Sequence, residues 1–287
     1  MTIVDQSTAV TANSTGVIVS TTTTANEKGG WTEMIASTSE ETYWITMTLN
    51  GETGSDKQGF LLDIGVGAAS SEVVKIPNIS GYMAANYLVK YMFPLTIASG
   101  SRVSVRASNS QTTVESIQVM LYLSNDDSQG TSTVNANYGA VTTSSKGTVI
   151  EADGTTDDTK GGYSELVLST SIDIDYFVFM IGSNNNGTIT PSQKALVDLA
   201  TGDPETDIIA NIPYGMSSIE TAGSSVAAFH SIPSGTRLAS RMQTNDSVAA
   251  GSNDRRLDVL VLGFTMTAPA GGSSGVLGQI GLNGGLQ

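Results

Sequence analysis

The chain has 287 residues, with 13 Lys and Arg against 27 Asp and Glu, a formal net charge of −14, one His and no Cys. These counts exclude disulfide frameworks, thiolate metal centres, cysteine nucleophiles and multi-histidine metal sites, leaving His230 as the sole imidazole. So acidic a chain is also ill suited to a phosphate backbone, which needs clustered Lys and Arg, and no nucleic-acid partner is expected.

Charged residues make up only 14 % and apolar residues 39 % of the chain, so charge repulsion is too dilute to hold it unfolded. The longest apolar runs, such as "LDVLVLGF", are strand-sized and far short of the roughly 20 residues that span a bilayer. The opening "MTIVDQSTAV" lacks the basic and apolar regions of a secretory leader. Neither a membrane partner nor export is expected.

In chain order, residues 1–13 are polar with little pattern and read as an N-terminal arm. Strands are then predicted near 16–21, 31–38, 42–50, 59–66, 71–77, 91–97, 101–107 and 113–123, giving a first repeat over 14–124. "ETYWITMTL" alternates, with Tyr43, Ile45, Met47 and Leu49 on one face; Gly, Asn, Asp and Ser clusters such as "NGETGSDKQG" and "ASGS" punctuate the runs. Residues 125–144 read as a linker, 145–267 as a second repeat with strands at equivalent places, and the Gly-rich 268–287 as a C-terminal arm. "GYMAANYLVKY" and "SIETAGSSVAAF" are each expected to hold a short helix at the same place in the two copies.

The two repeats are a tandem duplication. "KGGWTEMIASTS" at Lys28–Ser39 returns as "KGGYSELVLSTS" at Lys160–Ser171, identical at seven of twelve positions and offset by 132. Collinear matches follow: "YWITMTL" with "DYFVFMI", "LLDIGVG" with "LVDLATG", "EVVKIP" with "DIIANIP", "IASGSRVSVR" with "IPSGTRLASR", and "IQVMLYL" with "LDVLVLG". The predicted fold is all-β: two duplicated antiparallel β-sandwich domains, jelly-roll-like because eight strands per copy suit that topology, with extended N- and C-terminal arms.

The best site-like feature is a pair of arginines in each copy. Arg102 and Arg106, and again Arg237 and Arg241, lie four apart on a strand and so share a face. They are expected either to bridge carboxylates of an adjacent subunit or to pair within the domain to Glu33 and Glu165, which the duplication also keeps. Val276, Leu277, Ile280 and Leu282 in the C-terminal arm are expected against neighbouring chains. The acidic stretch "EADGTTDD" at Glu151–Asp158 does not match a calcium-loop spacing and reads as solvated loop acids. His230 lacks a "GxSxG" partner motif, and Trp31, Tyr43 and Trp44 read as packing residues rather than a sugar platform. No catalytic residue, metal site or cofactor is predicted.

The stretches "GFLLDIGVGAASSEVVKIPNI" and "FPLTIASGSRVSVRAS", with their second-copy partners, resemble the "IPxGxRxxxR" strand-turn-strand segments of tailed-bacteriophage head-decoration, tail and fibre proteins. The second copy fits better, since Ala98 stands where the pattern has Pro. The resemblance implies a non-enzymatic virion component: a capsid decoration or cement protein, assembling with itself as a homo-oligomer, expected as a trimer, and binding the major capsid or tail proteins of its particle. A tail or baseplate adaptor, a fibre-associated protein and a carbohydrate-binding receptor module are the alternatives.

Overall fold

The computed structural model describes residues 2–7, 16–51, 58–83, 88–152, 156–182, 193–216, 224–245 and 256–269. Among them the only helical element is a 3-10 turn at Thr142–Ser144. The first repeat comprises β1 (Ile3–Gln6), β2 (Val17–Ser20), β3 (Thr32–Ile35), β4 (Thr42–Gly51), β5 (Gln58–Val66), β6 (Val73–Met83), β7 (Leu88–Ile97), β8 (Val103–Asn109) and β9 (Ser116–Ser124). The second comprises β10 (Thr131–Tyr138), β11 (Thr148–Glu151), β12 (Ser164–Val167), β13 (Ile174–Gly182), β14 (Gln193–Thr201), β15 (Thr206–Met216), β16 (Ser224–Ile232), β17 (Leu238–Thr244) and β18 (Arg256–Thr267).

Each repeat is a sandwich of two antiparallel sheets. In the first, β1 and β2 share one side of β9 in a sheet ordered β1/β2–β9–β4–β7, which faces a second sheet ordered β3–β8–β5–β6. The second repeat copies this strand for strand: β10/β11–β18–β13–β16 over β12–β17–β14–β15. The chain changes sheet at every step from β2 to β9 except the β5–β6 hairpin, which is jelly-roll topology.

All eight strands predicted in the first repeat are present. The segments expected as an arm and a linker each supply a ninth strand, since β1 pairs β9 and β10 pairs β18. In the two segments expected to hold helices, the described residues belong to strands β6, β7 and β16; residues 84–87 and 217–223 lie outside the description.

Register corrects one sequence match. Pro77 and Asn78 together face Asp63, because Leu62 pairs Ile79 while Ile64 pairs Ile76. Ala210 and Asn211 face Asp198 in the same way, Val197 pairing Ile212 and Leu199 pairing Ile209. These are β-bulges, in which two residues oppose one. Asn78 and Asn211 are structural counterparts, both with positive φ (55° and 60°). The shared "IP" dipeptides therefore occupy different places, and the match of "EVVKIP" to "DIIANIP" slips by three residues.

Inside the first repeat, Ile45, Met47 and Leu49 of β4 point into the core with Tyr91, Phe93, Val103 and Val105. The second repeat has its own core around Phe177, Phe179, Val197, Leu199, Val259 and Val261. The alternate residues of its β13 and β18, namely Tyr176, Val178, Met180, Leu260, Leu262 and Phe264, belong instead to the core of the first repeat. The central strands β13 and β18 of the β10/β11–β18–β13–β16 sheet are thus buried on both faces: one face closes their own sandwich, the other covers the open mouth between edge strands β6 and β7. This explains why "DYFVFMI" and "LDVLVLGF" are nearly unbroken apolar runs, whereas the matching β4 alternates with Thr46 and Thr48.

The seam also satisfies the first repeat's exposed strand edges. Asn135 Nδ2 donates to Lys75 O at 2.7 Å, and Asn137 Nδ2 donates to Asn78 O at 3.0 Å, both along β6. The Tyr176 hydroxyl donates to Met92 O at 3.1 Å along β7. Trp44 packs edge-on against Tyr176 with ring centroids 5.5 Å apart, and its indole Nε1 donates to Gly130 O at 3.1 Å. Unpaired strand edges invite pairing with other chains, and here the neighbouring domain occupies them.

Phe264 sits at the centre of this seam, 6.2 Å from Phe93 and 5.9 Å from Tyr176 between ring centroids. Phe264→Ala should lower unfolding free energy by about 3–5 kcal/mol and split a single calorimetric transition into two as the repeats uncouple.

Candidate functional site

The residues that the duplication keeps converge on the outer face of the β3–β8–β5–β6 sheet and again on β12–β17–β14–β15. In the first copy Asp63, almost fully buried, is held from three sides. Lys28 Nζ donates to its Oδ1 at 2.8 Å, Arg106 Nε donates to Oδ2 at 2.9 Å, and the Asn78 amide donates to Oδ1 at 2.9 Å. In the second copy Asp198 receives Lys160 Nζ at 2.5 Å, Arg241 Nε at 2.8 Å and the Asn211 amide at 2.8 Å. The left-handed Asn of each bulge turns a backbone N–H away from the ladder and onto the carboxylate, which is why the bulge and the Asp occur together.

The other arginine of each pair clamps two carboxylates. Arg102 reaches Glu33 at 2.6 Å and Glu72 at 2.5 Å; Arg237 reaches Glu165 at 3.0 Å and Glu205 at 2.5 Å. All four arginines are therefore engaged within their own repeats, including the Glu33 and Glu165 partners expected from sequence. Glu205 matches Glu72, as the corrected register requires. Asp207, the sequence-stretch partner of Glu72, instead accepts from Arg241 at 3.2 Å and from the Tyr163 hydroxyl at 2.5 Å.

Each network is lidded by an aromatic ring. The Arg106 guanidinium lies 4.5 Å from the Trp31 ring centroid, and Arg241 lies 4.4 Å from that of Tyr163, both within cation–π range. Trp31 packs so closely on Gly65 that a Cβ there would come within 2.5 Å of the indole. In the second copy the counterpart of Gly65 is Ala200, beside a smaller ring, Tyr163. Each ring is covered by an arginine, and Tyr163 is also bonded to Asp207, so neither is a free platform.

Two retained turns complete the frame. Thr38 Oγ1 donates to Ala98 O at 2.8 Å and accepts from the Ser101 amide; Thr170 Oγ1 donates to Pro233 O at 3.0 Å and accepts from the Thr236 amide. Gly100 and Gly235 adopt φ of 78° and 84° there, which a side chain would strain. Gly29 and Gly161 are needed for space, since a Cβ would meet Ser20 O at 2.7 Å and Glu151 O at 2.1 Å. Nothing in the structure explains the second glycine of each pair, Gly30 and Gly162.

The remaining sequence candidates are dispersed. His230 is exposed on β16, and Asp157 and Asp158 are exposed loop acids. Asp173 accepts the amide of Ser234 in the turn after β16, and Asp175 accepts that of Met266 on β18. Among the described residues no three His, Asp or Glu side chains gather as a metal site, and no helix is long and apolar enough to cross a membrane. Val276, Leu277, Ile280 and Leu282 lie outside the described residues. Beside the second network lies a groove of about 540 Å³ lined by Val149, Glu151, Lys160, Gly161, Tyr163 and Ser164, among others.

Burial alone would raise the Asp198 pKa, but the bonds from Lys160, the Asn211 amide and Arg241 outweigh it and hold the carboxyl below its ordinary range. A depressed folded-state pKa stabilises the protein above the unfolded value of about 3.9 and stops doing so as pH falls through the folded value. Denaturant unfolding should therefore show stability declining below about pH 4. Asp198→Asn should cost roughly 3–5 kcal/mol at neutral pH, because it strands two cations, and should flatten the acid limb. An unchanged acid limb in the variant would remove Asp198 from that role.

No protein-family model matches the chain, and no curated protein matches it in sequence. Among solved structures, the tandem CBM22-1–CBM22-2 domain of Paenibacillus barcinonensis Xyn10C aligns at 11 % identity with a TM-score of 0.27, covering 90 % of this chain and all of that one. A structure of infectious bursal disease virus, Gx strain, aligns at 8 % identity with a TM-score of 0.22, covering 79 % of this chain and 63 % of that one. Neither likeness bears on function.

Proposed function

We propose that the chain is a non-enzymatic structural component of a bacteriophage particle: a capsid decoration or cement protein that acts as a homo-oligomer on the shell, with the major capsid protein as its partner. The observation that carries this reading is the fate of the retained polar residues. Lys28, Asp63, Arg102 and Arg106, with their counterparts Lys160, Asp198, Arg237 and Arg241, are all committed to ion pairs that tie strands within a repeat. What the duplication preserved is rigidity. Two stiff domains that need no disulfide and carry a net charge of −14 suit a protein displayed at high density, where the surface must not self-associate. The resemblance of "IPSGTRLASR" to phage head and tail segments supplies the biological setting.

A carbohydrate-binding module is the second reading, favoured by the groove beside Glu151, Lys160 and Tyr163. It ranks lower because Lys160 is already bonded to Asp198 and Asn211, while Tyr163 is bonded to Asp207 and covered by Arg241.

Immunogold electron microscopy of particles carrying a tagged copy distinguishes the possibilities. Label distributed over the head is expected. Label confined to a neck or baseplate ring would move the protein to the tail, and unlabelled particles would overturn the virion reading. Saturable glycan binding lost in Tyr163→Ala would establish the second reading in its place.

A further inference from the structure

The two buried networks share their carboxylate and differ in what the lysine touches beside it. In the first repeat Lys28 Nζ donates to Asp63 Oδ1 at 2.8 Å and to the backbone Leu61 O at 3.0 Å. In the second, Lys160 Nζ donates to Asp198 Oδ1 at 2.5 Å and to the side-chain Oδ1 of Asn211 at 2.9 Å. The second pairing sets an amine against a carboxamide, whose nitrogen can leave.

Both partners are held in place. The side chain of Asp198 is 1 % exposed and that of Lys160 20 %, and Arg241 Nε donates to the second aspartate oxygen at 2.8 Å. Asn211 is fixed through its own amide, which donates to Asp198 Oδ1 at 2.8 Å, and its φ is 60°. That backbone conformation would be served as well by glycine, so the carboxamide aimed at Lys160 is an addition to it. The Asn211 Cγ lies one carbonyl bond, about 1.2 Å, beyond the oxygen that accepts from Nζ. Holding two reactants together in this way can equal an effective concentration of about 10⁵–10⁸ M. Asn211 is at the surface, which gives a small leaving group an exit.

We propose that Lys160 and Asn211 join in an intramolecular isopeptide bond, with Asp198 as the catalytic residue that relays the protons. Asp198 takes one proton from the Lys160 ammonium, and the freed Nζ lone pair attacks Asn211 Cγ to form the Nζ–Cγ bond. Oδ1 carries the negative charge of the tetrahedral intermediate. Asp198 returns its proton to Nδ2, the carbonyl re-forms, the Cγ–Nδ2 bond breaks and ammonia departs. A second proton passes from Nζ through Asp198 to the ammonia. The products are a secondary amide, an aspartate and one ammonium ion, so hydrogen and charge balance without any oxidant or cofactor. Three donors hold the Asp198 carboxyl below its ordinary range, which makes it a weak base. The reaction is therefore a slow, single maturation of the folded chain and not a turnover.

The bond would lie where the second repeat lacks support. β15 is an edge strand and among the described residues pairs only β14. Its counterpart β6 is held along its edge by Asn135 and Asn137 of the following repeat. A link from Asn211 to Lys160, just before β12, ties one edge of the β12–β17–β14–β15 sheet to the other and closes a loop of about 50 residues. This inference does not rest on the virion reading.

Intact-mass spectrometry of the purified full chain, fresh and after prolonged incubation in the folded state, tests it. The expected mass is one ammonia below that of the sequence. Tryptic digestion should yield a branched species in which residues 147–194, uncut at Lys160, are joined to 195–237, while cleavage at Lys28 is complete. Lys160→Arg keeps the cation and Asn211→Gly keeps the positive φ. Each should show the full sequence mass, no branched peptide and the circular dichroism of the parent chain. A parent chain that keeps its full sequence mass after incubation would overturn the proposal. Ammonia loss accompanied by ordinary cleavage at Lys160 would also overturn it, assigning the loss to cyclisation of an asparagine on its own backbone.

Discussion

In the sheet formed by β10, β11, β18, β13 and β16, the two central strands β13 and β18 are covered on both faces, and the rest of the architecture depends on that. A β-sheet in an isolated sandwich buries one face and wets the other. Here Phe177, Phe179 and Val261 face inward while Tyr176, Leu262 and Phe264 serve the neighbouring repeat. One sheet therefore belongs to two cores, and the domains are joined by interior packing instead of by a linker. The chain passes between repeats through β10, whose Asn135 and Asn137 hold the edge carbonyls of β6.

The ionic networks solve a different problem. Jelly-roll strands are joined by connections that cross between sheets, and the outer faces need something to fix register. In each repeat a buried aspartate accepts a lysine from the segment before the third strand, an arginine from the eighth and an amide from the bulge of the sixth. The contact ties three separated stretches of sequence at one point. Over this point the first repeat sets Trp31 with Gly65 and the second the smaller Tyr163 with the larger Ala200, while the stacked arginine is kept in both.

Much of this was legible in the sequence, unevenly. Strong alternation in β4 and β8 and the repeated "KGG" and "SGxR" stretches marked the class, the duplication and the Arg–Glu pairs. β1 and β10 escaped notice for physical reasons: β1 is four residues long, and β10 is largely polar because Asn135 and Asn137 bond to a neighbouring domain's backbone while only Ala136 and Tyr138 meet its own core. The role of Asp63 and Asp198 was hidden by the bulge, since a conserved carboxylate has no visible partner until the strand opposite is known to gain a residue. The double burial left a readable trace, because "DYFVFMI" lacks the alternation of its first-copy equivalent.

The seam joins unlike surfaces: the mouth of one repeat meets the sheet face of the next. Such a contact is heterologous and has no two-fold axis. The two domains follow one another like coaches in a train, so the molecule has a front and a rear. On the outer face of β4 and β9, Thr46, Thr48 and Tyr122 stand where β13 and β18 have Val178, Met180 and Leu262, so the first repeat does not reproduce the apolar face that forms the seam. A duplication that made two repeats alike in fold has thus made them unlike in packing: one sheet serves two cores and its counterpart only one, which gives the pair a direction.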